Sequence, residues 1–328
     1  MNKSIQFASH RPLPKSKTAV LLPVLAVLSW LSFQNSSMAQ GSLTPPGSPA
    51  PTMKSLDQIE ARTPITALPL TIFSSGSYYL TTNLTGTFGS SGITVNSGIN
   101  DVTIDLNGFS LIGVPGSKDG ITIFGSRVAV INGTIRNWGT NGINALGSQN
   151  HRFQNVVAAN NGATGIDSGS RSLVDSCDTE FNNTYGIAAG GGCIVRNCLA
   201  NHNPGGGIYC YNSGSIPNSA VITGCAASQN SFGIALGVNS VATENNLLNN
   251  TFAGLSMSGN GNRVENNNVN FNYYGIYTIG VTNVIIRNSL TGNTNAAIVG
   301  ITAGMPVGPV INGTTMATNT NPNVNISY

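Results

Sequence analysis

From residue 92 onward one pattern of apolar and polar positions returns at nearly constant spacing. A Gly followed by Ile or Leu stands at Gly92, Gly120, Gly142, Gly165, Gly186, Gly207, Gly233, Gly254 and Gly275, and Ala297-Ile298 continues the series. The steps are 28, 22, 23, 21, 21, 26, 21, 21 and 22 residues. A period of this size marks a solenoid, in which each repeat buries its apolar face only against its neighbours. Between anchors the apolar residues alternate over short runs, and no repeat keeps a 3.6-residue period. The L-x-x-L-x-L pattern of leucine-rich repeats is missing. Short β-branched strands separated by Gly and Asn bends predict an all-β fold, a parallel β-helix of about ten coils. Coils stacked about 4.8 Å apart would give a rod roughly 45 Å long.

Aligned without gaps, the repeats form columns. Asn155, Cys177, Cys198, Cys225, Asn245, Asn267 and Asn288 share one column, read as pointing inward. Three residues earlier stand Arg152, Val174, Val195, Ile222, Ala242, Val264 and Ile285. Five residues later is Asn in every repeat: Asn160, Asn182, Asn203, Asn230, Asn250, Asn272 and Asn293. A buried amide needs partners, and stacked Asn side chains supply them to one another and to the turn backbone. This column is therefore expected to be a structural ladder along the axis. The cysteines of the inward column read as small buried hydrophobes. Cys193 and Cys210 lie outside it and are the expected disulfide pair.

The ends depart from the repeat. Lys3, Arg11, Lys15 and Lys17 precede the apolar run Ala19–Trp30, and Ser37-Met38-Ala39 offers small residues before a cut at Gln40. Residues 1–39 thus read as a secretory signal, with no membrane span left after cleavage. The run is shorter than the roughly 20 apolar residues of a spanning helix. Residues 40–70 read as a Pro-rich linker and an N-terminal cap, with Met53, Leu56 and Ile59 at helical spacing in a short capping helix over 53–61. The β-helix is assigned to 71–300. Residues 301–328 lose the repeat and read as a C-terminal cap, with Val324, Ile326 and Tyr328 alternating like an edge strand.

Charge narrows the partners. Only 8% of the 328 residues are charged, against about 25% in ordinary globular proteins. Without residues 1–39 the chain carries ten basic and eleven acidic residues, net −1. No basic patch remains for phosphates, so nucleic acid is not an expected partner. The expected location is outside the cytoplasm: secreted, periplasmic or at the cell surface.

Val102-Thr-Ile-Asp-Leu-Asn-Gly108, Val130-Ile-Asn-Gly-Thr-Ile-Arg136 and the recurring V-x-x-N/C-x(4)-N-x(2–4)-G-I resemble right-handed parallel β-helix repeat proteins of the pectate-lyase-like superfamily. The resemblance spans about residues 72–300. TMKSLDQIEARTPI (52–65) also resembles a lead-in of uncharacterised bacterial secreted members. The resemblance implies three strands per coil, with the Asn ladder in the tight turn before the strand opened by G-I. It places enzymatic sites on the outer face of the strand preceding the Cys/Asn column, with a long polysaccharide as substrate.

The motifs of the family's enzymes are missing. The hydrolases' Asn-Thr-Asp, Asp-Asp, Gly-His-Gly and Arg-Ile-Lys do not occur, and no acidic cluster offers the six to eight oxygens that calcium takes. The remaining catalytic candidates are Asp175, Asp178, Glu180, Arg196 and His202. Asp175 and Arg196 fall on adjacent rungs of an outer column shared with Phe153, Thr223, Thr243, Glu265 and Ile286. The plainer reading of that pair is a surface ion pair. His151 and His202 read as solvated turn residues. Aromatic rings stack on sugar faces, so Tyr209, Tyr211, Tyr273, Tyr274 and Tyr277, near the anchors of two coils, are the candidate binding residues. Two insertions, VPGSKD (114–119) and YNSGSIPNS (211–219), account for the long steps. The reading is an exported, non-catalytic β-helix, a carbohydrate-binding or cell-surface protein, with polysaccharide as the candidate partner and no cofactor. The rivals are a polysaccharide lyase or glycoside hydrolase with a divergent site, which could call on calcium, and a structural spike or stalk. The oligomeric state is open.

Overall fold

The computed structural model describes residues 60–211, 219–312 and 319–327. The signal segment, the linker, most of the capping-helix segment, most of the 211–219 insertion and Tyr328 lie outside them. No helix occurs among the described residues. The chain winds as a parallel β-helix. Each coil contributes one strand to an eleven-stranded parallel sheet, the anchor sheet, and one or two to an eighteen-stranded parallel sheet. The larger sheet runs in two lanes, joined where Val128–Arg136 and Arg152–Ala159 continue through both.

Inward positions stack by kind. In the anchor sheet Ile187, Ile208, Ile234, Leu255 and Ile276 align rung on rung and are fully buried. In the first lane the inward set is Val130, Phe153, Val174, Val195, Ile222, Ala242, Val264 and Ile285. Each buried Ile or Leu contributes about 1.5–3 kcal/mol, and like residues stacked at one spacing leave little void.

One repeat was displaced by a residue in the gapless alignment. Phe153, not Arg152, pairs with Val174, and Gln154 pairs with Asp175. Val157 pairs with Asp178, which sets Val156 rather than Asn155 beside Cys177. A slip of one residue exchanges the faces of a strand. Phe153 is therefore core and not part of the outer column, while Arg152 is exposed. The ladder is corrected in the same way: Asn160 is exposed with φ 55°, and its neighbour Asn161 is the buried rung.

The ladder hydrogen bonds run in one direction. Asn161 Nδ2 donates to Asn182 Oδ1 at 2.9 Å and Asn182 Nδ2 to Asn203 Oδ1 at 3.1 Å. The series continues through Asn230, Asn250, Asn272 and Asn293. Each amide also caps a carbonyl of the preceding coil, as Asn230 Nδ2 does for Ala200 O at 2.8 Å. Below Asn161 the place is taken by Trp138, whose backbone N–H donates to Asn161 Oδ1 and whose indole N–H donates to Leu111 O.

The Cys/Asn column has a shared task. Cys198 Sγ donates to the carbonyl two residues before it, Arg196 O, at 3.1 Å, and Asn267 Nδ2 does the same to Glu265 O at 3.0 Å. All five cysteines are free and buried, so Cys193 and Cys210 form no disulfide. Cys193 Sγ instead donates to Gly169 O at 3.2 Å and accepts from Ser172 N–H.

The described parts of the C-terminal stretch stack on the last coil. Val307 bridges to Ile285, and Ile326 to Ser289, as an incomplete further coil. Asn325 ends a second ladder, in the Cys/Asn column: Asn245 Nδ2 donates to Asn267 Oδ1, Asn267 Nδ2 to Asn288 Oδ1 and Asn288 Nδ2 to Asn325 Oδ1, each at 3.0 Å. The inward residue there is the buried Asn325, not Val324 or Ile326. The sequence pattern hid this coil because 17 residues separate Gly308 from Asn325, whose amide donates to Gly308 O.

Candidate functional site

The first lane presents the predicted polar pair. Asp175 and Arg196 are register partners, and Arg196 Nη2 donates to Asp175 Oδ2 at 2.8 Å. Ser176 Oγ and Asn197 Nδ2 donate to Asp175 Oδ1. The Arg196 guanidinium, aided by these donors, holds the Asp175 carboxyl below the usual carboxylate range. Three rungs beyond Arg196, Glu265 is clasped by Arg263 and Arg287. Asp175 and Glu265 are four rungs apart, about 19 Å at the strand spacing.

Asp178 and Glu180 are not on this face. Ser176 takes φ 56° and turns the chain, so both lie in the second lane, paired with Leu199 and Asn201. Burial raises the Asp178 carboxyl, and the Glu180 charge adds to it. Asp178 Oδ1 has no hydrogen-bond partner. His202 is on an exposed turn, stacked on Phe181 at 4.6 Å. His151, expected in solvent, is 3% exposed. Its Nδ1 accepts from Val128 N–H at 3.3 Å, which leaves the proton on Nε2 for Ser148 Oγ at 2.8 Å. Among the described residues no group of three or more His, Cys, Asp or Glu is placed to hold a metal ion.

The aromatic residues gather elsewhere, on the outer face of the anchor sheet. Tyr209 stacks on Tyr185 with ring centroids 4.6 Å apart, and Phe232 lies 6.5 Å beyond Tyr209. Tyr211 reaches back two coils, and its hydroxyl donates to Asp167 Oδ1 at 2.9 Å. Burial raises the Asp167 carboxyl and the Tyr211 hydroxyl. A second group follows: Phe252 lies 5.1 Å from Tyr277, and Tyr274 packs against Tyr273 at 4.6 Å. Tyr185, Phe232 and Phe252 were missed in the sequence. Tyr185 and Phe232 each stand immediately before an anchor Gly, as Tyr274 does, and that position was the readable signal.

The two faces differ in what they offer. The first lane holds carboxylates already engaged by arginines, Asp175 by Arg196 and Glu265 by Arg263 and Arg287. The anchor sheet holds partly exposed rings on successive coils, a surface for flat apolar faces with hydroxyl edges.

The family described as "Right handed beta helix region" matches residues 71–252, more than half of the chain. No curated protein matches the sequence. Among solved structures, the A-module of mannuronan C-5 epimerase AlgE6 from Azotobacter vinelandii is similar with TM-score 0.55 and 14% identity, over 81% of this chain and 88% of that one. The Dettilon tailspike protein gp208 is similar with TM-score 0.61 and 14% identity, over 81% of this chain and 60% of that one. Pectate lyase Pel9A is similar with TM-score 0.48 and 18% identity, over 70% of this chain and 72% of that one. Identities this low speak for the fold alone. Coil, ladder and matched sequence agree: the chain belongs to the right-handed β-helix family.

Proposed function

We propose that this chain is an exported, non-catalytic carbohydrate-binding β-helix, and that it binds through the aromatic rows of the anchor sheet. The observation that carries the reading is the placement of eight rings, from Tyr185 to Tyr277, along one outer face over five consecutive coils. Such rings add nothing to the core. They leave apolar faces in reach of water beside outward residues such as Ala188, Ala235 and Ser256. The A-module that it resembles in fold belongs to an enzyme of mannuronan, which agrees with a glycan partner without naming one.

A second reading rests on Asp175 and Asp178. One carboxyl is lowered and the other raised, on either side of one turn. Carboxyls pushed apart in this way can serve as an acid and its base, though ion-paired and buried carboxyls without such a role also differ. The two open onto different lanes, so a divergent hydrolase would need substrate to wrap the turn.

The experiment is a panel of neutral and acidic polysaccharides, with and without calcium. Retention of the protein without new reducing or unsaturated ends is the expected result. Bond cleavage that vanishes in Asp175→Ala or Asp178→Ala would replace the binding reading by the catalytic one.

A further inference from the structure

The 114–119 insertion builds a second feature on the anchor sheet, several coils before the aromatic rows. A cleft of about 350 Å³ opens there between neighbouring coils. Its floor is Thr94, Thr122 and Asn144, its rim carries Lys118, and Phe124 and Leu146 form one wall. The volume lies near the lower end for small-ligand sites, which run from about 300 to 1,000 Å³.

Asp119 organises this floor. Its Oδ1 accepts from Thr140 Oγ1, Asn141 N–H and Asn141 Nδ2, and its Oδ2 from Thr122 Oγ1 at 3.1 Å and Asn144 Nδ2 at 3.0 Å. Five donors saturate the carboxylate, so Asp119 acts as a buried clamp that fixes Thr122 and Asn144. Thr122 is fixed further by Ser91 Oγ at 3.1 Å. Such a floor is set before any ligand arrives, which lowers the ordering cost of binding.

The wall is of the opposite character. Phe124 is 59% exposed and Leu146 is 63% exposed. Lys118 enters no ion pair among the described residues. The cleft thus brings apolar side chains together with fixed hydroxyl and amide groups and one ammonium outside any ion pair. A pyranose has the matching shape, with a C–H face to lay on the wall and a hydroxyl edge to pair with the floor.

The register connects the cleft to the rings. The outward residues Thr122, Asn144, Asp167, Ala188 and Tyr209 lie on one line across successive coils. The line goes on through Ala235, Ser256 and Tyr277. From Asn144 to Tyr277 it covers six rungs, about 29 Å at the strand spacing. One rung is close to the advance of one sugar in an extended glycan.

We propose that the Thr94–Thr122–Asn144 cleft is an anchoring subsite for one pyranose ring of a glycan whose chain runs along the solenoid axis to the rings around Tyr277. This deepens the carbohydrate reading above and rests on it. The chain is recognised at one sugar per coil, with the cleft and the rings as its two ends.

The test measures affinity for glucan, mannan and mannuronan oligosaccharides of graded length, in wild type, Phe124→Ala, Leu146→Ala, Asn144→Ala and Tyr277→Ala. Phe124 and Leu146 are exposed, so their truncation leaves folding intact, which circular dichroism checks. For wild type, affinity should rise with length until the chain spans about seven sugars, one for each coil from Asn144 to Tyr277. Each cleft variant should weaken the longest oligosaccharide about tenfold and bring the plateau to shorter chains. Wild-type binding that needs Tyr277 but is unchanged in all three cleft variants would overturn the subsite and leave the carbohydrate reading standing. No binding by wild type to any of the three series would remove both.

Discussion

A Cβ placed on Gly165 would stand 2.8 Å from the side-chain nitrogen of Asn182 and 2.7 Å from the carbonyl of Gly186. Asn182 is fully buried, and its amide is held by Ala158 O and Asn203 Oδ1. It cannot retreat without giving up both bonds. The anchor Gly and the ladder Asn are therefore one device: the tight turn lets the next coil close on the amide row. The same contact recurs at Gly186 with Asn203 and at Gly275 with Asn293. Gly165 needs no positive φ, so its reason is space and not conformation. Gly165→Ala should destabilise by about 1–3 kcal/mol through overpacking, read from chemical denaturation. Ala297 is tolerated in the same place because its strand ends the anchor sheet.

The ladder register gives a second test. Asn230→Leu removes the acceptor of Asn203 N–H and Asn203 Nδ2, and the donor to Ala200 O. Leaving such buried groups without partners costs about 1–3 kcal/mol. Asn161→Leu should cost a comparable amount. Asn160→Leu should cost far less, because Asn160 is exposed and only its left-handed backbone is affected. Equal losses at Asn160 and Asn161 would contradict the register described above.

That pair also shows what was legible in the sequence. Period, anchors and most of the ladder could be read because identical coils touch, so each contact repeats as a letter at constant spacing. The slip at residues 152–161 came from Asn serving two tasks. Asn155 and Asn160 hold left-handed bends at φ 54° and 55°, while Asn161 supplies a ladder amide. The letter is the same and the physics differs. The distance to the next anchor separated them, since Asn161 stands four residues before Gly165 as Asn182 stands four before Gly186. The aromatic face was half legible. Tyr209 and Tyr277 were found as residues, but their alignment with Tyr185, Phe232 and Phe252 needs the coil register. The Asp119 clamp draws its donors from four residues over 22 positions and has no repeat to betray it.

His151 should make stability depend on pH. Burial lowers its pKa from 6.5 to about 4. The unfolded chain then binds the proton more readily than the folded one between those values. The contribution is complete above about pH 6.5 and is lost as pH falls toward 4, at up to roughly 1.4 kcal/mol per pH unit and roughly 3 kcal/mol in all. Other carboxyls titrate in the same range, so the measurement is a difference. His151→Gln can keep an acceptor for Val128 N–H, and its unfolding free energy should fall less steeply than that of wild type below pH 6.

The thiols should be silent in the folded protein. All five are buried, and burial pushes Cys193 and Cys210 upward, away from the thiolate form that reacts; Cys198, which hydrogen bonds from Cys177 and Cys225 hold low, is kept from a reagent by burial alone. A thiol reagent at neutral pH should label none of them in native protein and all five after denaturation. Rapid labelling of native protein would show that the coils holding Cys177, Cys198 and Cys225 open locally.

The two outer faces make opposite predictions for glycan binding. If the rings carry it, Tyr277→Ala should weaken retention on a positive polysaccharide about tenfold, the usual loss when an aromatic anchor is truncated. Arg196→Ala should leave retention unchanged. It should also cost only about 0–1 kcal/mol of stability, since the arginine is half exposed and Asp175 keeps its bonds from Ser176 and Asn197. The reverse pattern, with binding lost in Arg196→Ala and kept in Tyr277→Ala, would move the partner to the first lane. The Asp175–Arg196 pair would then be a clamp for the glycan. Affinity chromatography of both variants beside wild type separates the outcomes, because neither side chain supports the core.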